Sequence, residues 1–272
     1  MYIYRQKNKK ITYKNKGGKM EETVIEKLED YIKFIHDIPS DYILSRGQES
    51  EKELLPSALR LDNTNMRLYS KSKAKAFIDD FKINSLMYID NTTIKNDYEW
   101  MVYAQHFGVP TCLLDFTYSH TVSLMFAVEN AFTYEDDDDT NSVVWFLNPK
   151  KLNLASIKRN EILNISEETN IPETGDYPCV VTARKNNSRM SAQNGLFVYF
   201  QQDSIALDKI GIADEVLKKV VIPHKNAKGV LAELYRLGMR FDDIYPELDS
   251  VSKDIILKNN VAEYNRMEMD NE

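Results

Sequence analysis

The chain has 272 residues, 43% of them apolar and 28% charged, with nine Gly and eight Pro, which is material for one large core or two small ones. Its net charge of −7 hides an asymmetry: residues 1–20 carry Arg5, Lys7, Lys9, Lys10, Lys14, Lys16 and Lys19 and no acid, leaving 28 basic against 42 acidic residues, or −14, on the remainder. An acidic body argues against a nucleic-acid groove spread over the surface. With no apolar run long enough to span a bilayer and no apolar segment behind the N-terminal charges, the expectation is a cytoplasmic chain without membrane contact.

Residues 1–20 read as a basic, flexible arm rather than a binding element, upstream of a second candidate start at Met20. From Thr23 the spacing predicts a helix, with Val24, Ile25, Leu28, Tyr31, Ile32 and Ile35 on one stripe and Thr23 with Glu26 as a capping box. Pro39 and Ser40 end it, and Tyr42 to Ser45 reads as a strand delivering Arg46, Gly47 and Gln48 at its end. A helix with Ala74, Phe77, Ile78 and Phe81 inward comes next. A third surrounds Trp100, Tyr103, Ala104 and Phe107, stopped by Gly108 and Pro110, so Gln105 and His106 sit in its last turn.

Cys112 to Thr117 reads as a strand, and Ser119 as the cap of a helix bearing Val122, Met125, Phe126 and Val128. The acidic run Glu135 to Asp139 is a solvated turn on composition; it lacks the glycine and interleaved spacing of a calcium loop. Strands are predicted at Val143 to Leu147, Tyr177 to Thr182, Leu196 to Phe200 and Val220 to Ile222, and helices at 227–237 and 249–264. The expected fold class is α+β, with mixed, largely antiparallel sheets flanked by helices, one domain over 21–272 beside the arm of 1–20.

Several chemistries drop out. No glycine belongs to a phosphate-binding loop, a dinucleotide fingerprint or a nucleophile elbow, and His36, His106, His120 and His224 have no ligand spacing, so no metal is expected. Cys112 and Cys179 form no C-x-x-C pair and read as small buried hydrophobes. What stands out is polar residues in apolar frames: Arg46 at a strand end, Gln105 and His106 on an aromatic helix, Asp115 and Thr117 in an apolar strand, Arg189 and Gln193 before another. Buried charges need partners, so two readings stay open. Either Arg46 and Asp115 pair to fasten the core, or the set lines a ligand cleft, with Gly47 and Gly195 allowing a guest or another backbone to approach closely.

Ser45-Arg46-Gly47-Gln48, Leu54-Leu55-Pro56-Ser57-Ala58-Leu59-Arg60 and the block from Ala104 to Thr117 resemble the FRG domain family, as do Arg189 to Phe197 and the closing Leu237-Gly238 and Tyr245 to Asp249. Four positions depart from its usual pattern: Ser45 replaces an aromatic, Cys112 an Arg, Phe116 a Trp and His120 a Pro. The family is largely unassigned in function and often found in bacterial or phage defence settings. Its order of elements is similar to the ADP-ribosyltransferase fold, which implies an NAD-consuming enzyme, a transferase of ADP-ribose or a glycohydrolase, with a nucleotide substrate and a protein or nucleic-acid acceptor. On that reading Arg46, Asp115 and Gln193 are catalytic, and Gln48, Gln105, His106, Thr117 and Arg189 bind the nucleotide. Phe107 and Phe116 stack on a ring, and Asp115 or Glu233 supplies the carboxylate that Gln193 lacks. The alternative is a nucleotide- or protein-binding module without turnover.

Overall fold

The computed structural model describes residues 21–64, 66–89, 94–133, 140–167, 171–172, 177–184, 188–201 and 205–271. The basic arm and the acidic run 135–139 lie outside them. Among the described residues eight strands form one sheet: β1 (Glu22–Val24), β2 (Leu44–Gln48), β3 (Leu113–Thr117), β4 (Ser142–Leu147), β5 (Leu163–Asn164), β6 (Cys179–Thr182), β7 (Gly195–Tyr199) and β8 (Leu217–Ile222). Their order is β1-β8-β4-β2-β3-β7-β6-β5. Only the outermost pairs, β1 with β8 and β5 with β6, are parallel. The fold is α+β with a mixed, largely antiparallel open sheet. Among the described residues no helix is long and apolar enough to cross a membrane.

Among the described residues ten helices surround the sheet: α1 (Leu28–Asp37), α2 (Lys71–Ser85), α3 (Asp97–His106), α4 (His120–Val128), α5 (Pro149–Ile157), α6 (Ser188–Ala192), α7 (Ala213–Val216), α8 (His224–Arg236), α9 (Phe241–Ile244) and α10 (Leu248–Asn271). Local chemistry sets the ends that matter for the site. Asn96 caps α3 by accepting from the Glu99 amide at 2.9 Å, and Ser119 caps α4 by accepting from Val122 at 3.4 Å. At the far end of α3, Gly108 takes φ +82°, which lets its amide reach the Gln105 carbonyl at 2.9 Å and the Val109 amide reach that of Ala104 at 3.1 Å. A side chain at that φ would be strained. The helix therefore stops with Gln105 and His106 in its last turn.

The opening of the chain departs from the expected helix at Thr23. Glu22, Thr23 and Val24 pair in parallel with Lys219, Val220 and Val221, and α1 begins only at Leu28, where Asp30 accepts from the Glu26 and Lys27 amides. The β-branched pair Thr23-Val24 suits a strand, and a partner nearly two hundred residues away decides between two patterns that the local sequence satisfies equally. Arg46, Gly47 and Gln48 likewise lie within β2, not beyond it.

Alternation in β4 shows how the sheet is covered. Val144 and Phe146 pack with Tyr31, Met125, Leu231 and Val261 under α1, α4, α8 and α10, while Val143, Trp145 and Leu147 face a second cluster with Leu54, Phe116, Val198 and Leu217. That second cluster runs continuously across the sheet. The opposite face is divided, because Val102, Leu113, Cys179, Val181 and Phe197 form a separate cluster near α3. The division coincides with a break in the sheet: β2 matches β4 over five residues and β3 matches β7 over five, but β2 and β3 meet only at Ser45 opposite Thr117.

Candidate functional site

Past the single Ser45 and Thr117 pair the two halves of the sheet part, and a cleft of about 400 Å³ fills the gap. Arg46, Gln48, Gln105, His106, Asp115, Arg189 and Gln193, seven of the eight residues the sequence singled out, line it. The eighth, Thr117, is nearly fully buried and borders a hollow of about 60 Å³ that shares Arg46, Asp115 and Gln193 with the cleft. There its hydroxyl donates to the Gln193 carbonyl at 2.6 Å and accepts from Ser119 at 2.9 Å, so Thr117 ties β3 to the segment carrying Gln193.

Arg46 bridges the break. Its Nη1 donates to the Asp115 carbonyl at 2.9 Å and lies 3.9 Å from Oδ2 of the same residue. Gln105 Nε2 donates to Asp115 Oδ1 at 2.7 Å, and Thr111 Oγ1 in turn donates to Gln105 Oε1. The core-fastening ion pair and the ligand cleft are thus the same feature, since the pair forms on the cleft wall with 63% of the Asp115 side chain still exposed. Burial draws the Arg46 guanidinium below its usual value, with Asp115 opposing, and pushes the Asp115 carboxyl up, with Arg46 and Gln105 opposing. His106 is lowered by burial and by the nearby Arg189 cation.

Two donors on this wall are unspent. Arg46 Nε and Gln193 Nε2 are buried and have no hydrogen-bond partner among the described residues. An orphaned buried donor costs about 1–3 kcal/mol, which the structure recovers only if something enters the cleft to accept from it.

The cleft also holds groups that sequence reasoning passed over: Lys52 and Arg60 add positive charge, while Glu49 and Glu129 add carboxylates. Glu129 follows α4 directly and accepts from the Tyr245 hydroxyl at 3.1 Å and 3.3 Å on its two oxygens. The Arg189 guanidinium lies 4.7 Å from the centre of the Tyr245 ring, so α6 and the C-terminal segment meet on one side of the cleft. A Glu ending an apolar helix was a signal available in the sequence; its partner 116 residues away was not.

Other expectations need correction. Glu233 is remote from the cleft, where its Oε2 accepts from the Leu28 amide at 2.7 Å and caps α1. Phe107 stacks on Phe81 at 6.1 Å and Phe116 is buried in the sheet; Phe126 and Phe197 are the rings on the cleft. At Gly47 it is another backbone, one of the two expected approaches, that comes close, because a Cβ there would sit 1.8 Å from the Ser123 carbonyl oxygen of α4. At Gly195 the nearest atom to such a Cβ is 3.8 Å away. Cys179 is buried as expected, whereas Cys112 is half-buried and borders a different hollow. The departures Ser45 and His120 are partners: Ser45 Oγ lies 2.7 Å from His120 Nδ1 and 2.8 Å from Ser123 Oγ.

Burial pushes the Glu129 carboxyl above the ordinary glutamate value, against the Tyr245 hydrogen bond, which lowers it. The native state therefore holds more protons than the unfolded chain between the two values, and stability falls as pH rises through that window. Glu129→Gln keeps an acceptor for Tyr245 and removes this dependence. Urea midpoints measured between about pH 4 and 8 should decline less steeply for the variant; parallel profiles would show that Glu129 is not held in this way.

Residues 41–136 match the FRG domain. No curated protein and no solved structure matches the chain. The FRG match takes in β2, α3, β3 and α4, and with them Arg46, Gln48, Gln105, His106, Asp115 and Glu129. The Arg189, Gln193 and Tyr245 side of the cleft lies beyond it.

Proposed function

We propose that the FRG cleft binds NAD and breaks its nicotinamide-ribose bond, as an ADP-ribosyltransferase or an NAD glycohydrolase on an ADP-ribosyltransferase-like fold. A part in bacterial or phage conflict belongs to the same proposal and rests on the resemblance alone. The observation that carries the reading is the pair of unspent donors, Arg46 Nε and Gln193 Nε2, on a wall that also bears Lys52, Arg60 and Arg189. Such a wall suits a diphosphate and ribose hydroxyls, which offer only or mainly acceptors. The cleft volume is in the range of small-molecule sites.

In the reaction the C–N bond breaks with both electrons leaving on nicotinamide, so positive charge builds on the ribose. Asp115, held by Arg46 and Gln105, supplies negative charge to that centre. A water or an acceptor hydroxyl then attacks and must lose a proton. Glu129, a carboxylate on the same cleft wall, is the group that takes it.

One observation favours the runner-up, binding without turnover: position 193 holds an amide, which orients a hydroxyl but accepts no proton. Incubation with NAD separates the two. Nicotinamide release by wild type, reduced at least about tenfold in Gln193→Ala, supports the enzyme; a raised melting temperature with NAD and no release supports the module. Neither release nor shift removes the nucleotide from the account.

A further inference from the structure

Helix α3 stands between two hollows. Val102, Gln105 and His106 face the cleft, whereas Tyr98 and Met101 line a second hollow of about 300 Å³. Helix α2 closes it with Ala74 and Ile78, the end of β7 adds Tyr199 and Phe200, and Leu59, Thr111, Cys112 and Gln201 also line it. The chemistry differs from that of the cleft. These walls are largely aromatic and aliphatic, and Tyr98 meets Tyr199 edge to face at 5.8 Å.

Charge at the mouth is balanced. Lys75 and Lys82 stand against Asp79 and Asp97, and Lys82 Nζ lies 2.7 Å from Asp97 and 3.8 Å from Asp79. No net charge is left to select an anion or a cation. One polar group is unused, because the Tyr199 hydroxyl makes no hydrogen bond among the described residues. Burial keeps that hydroxyl far above its usual value, so at physiological pH it remains a donor.

We propose that this second hollow is a binding site for a small uncharged molecule with an aromatic body and one hydrogen-bond acceptor, such as a carbonyl, for the Tyr199 hydroxyl. An apolar space of this size bounded by few polar groups is the ordinary form of a small-molecule site, and a dry apolar cavity takes up aromatic guests readily. The proposal does not rest on what the cleft binds.

The test uses the full chain and 6-propionyl-2-(dimethylamino)naphthalene, an uncharged naphthyl ketone whose emission shifts to the blue in apolar surroundings. Saturable binding of one probe per chain with a blue shift is expected, undisturbed by ADP-ribose. Ala74→Trp fills the hollow and should weaken binding at least about tenfold, the order expected for losing a packed aromatic contact. A second arm needs no variant to fold. Cys179 is fully buried with its thiol pushed up to about 12, so N-ethylmaleimide should modify Cys112 alone, and the alkylated protein should lose the probe. Absence of saturable binding, refusal of Cys112 to react in the folded chain, or binding that survives alkylation would each overturn the proposal.

Discussion

Gly47→Ala is expected to remove at least about 3 kcal/mol of stability, a large share of the roughly 5–15 kcal/mol that holds an ordinary domain folded. The new Cβ would sit 1.8 Å from the Ser123 carbonyl oxygen and 2.8 Å from the Ala127 amide nitrogen. Both are backbone atoms of α4, so no side-chain rotation relieves the overlap and the whole helix must move. Helix α4 packs Met125 and Val128 into the core beneath β4, and Ser45 holds it through Ser123 and His120. Moving it breaks packing on one side and that network on the other. Urea denaturation followed by circular dichroism measures the effect. A variant that unfolds at the wild-type midpoint would mean that β2 and α4 are not in this contact.

Arg46→Ala should weaken ligand binding in the cleft strongly at the cost of little secondary structure. A charged donor pair to a phosphate or ribose oxygen contributes about 1.5–3 kcal/mol, so the dissociation constant should rise about tenfold to a hundredfold or more. Arg46→Lys separates charge from geometry. A lysine keeps the cation but loses the planar fork that reaches the Asp115 carbonyl and still presents Nε to a guest, so it should recover only part of the affinity. Calorimetric titration of ADP-ribose into the three proteins reads this directly, and equal affinities in all three would remove Arg46 from the site.

Much of this was legible in the chain because local chemistry decided it. Ser119 before an apolar run, Gly108 ahead of Pro110, and the alternating Leu113 to Thr117 each name their own structure. The convergence of Arg46, Asp115 and Gln193 on one cleft was legible for a different reason: polar groups set in apolar frames must be partnered somewhere, and the fewest partners that satisfy them are one another. Helix α5 was not among the predicted elements, although Asn148 caps it by accepting from the Lys151 amide at 3.0 Å with Pro149 in its first turn.

The unread parts depend on contacts distant in sequence. β1 exists because β8 offers an edge to it, and the buried Lys219 reaches Glu22 there at 3.1 Å. Glu129 acquires its character from burial beside the distant Tyr245, and Glu233 loses a place in the cleft because the Leu28 amide binds it. Phe107 had an aromatic surface to offer, but it stacks with Phe81 away from the cleft and stays largely exposed. In each case the residue's own neighbours in the chain permit more than one outcome, and packing chooses.

The most direct measurement is a crystal structure of the protein with ADP-ribose. Diphosphate or ribose oxygens within hydrogen-bond distance of Arg46 Nε and Gln193 Nε2, in the gap between β2 and β3, is the predicted result. ADP-ribose seated elsewhere, or an unchanged gap at saturating concentration, would contradict it.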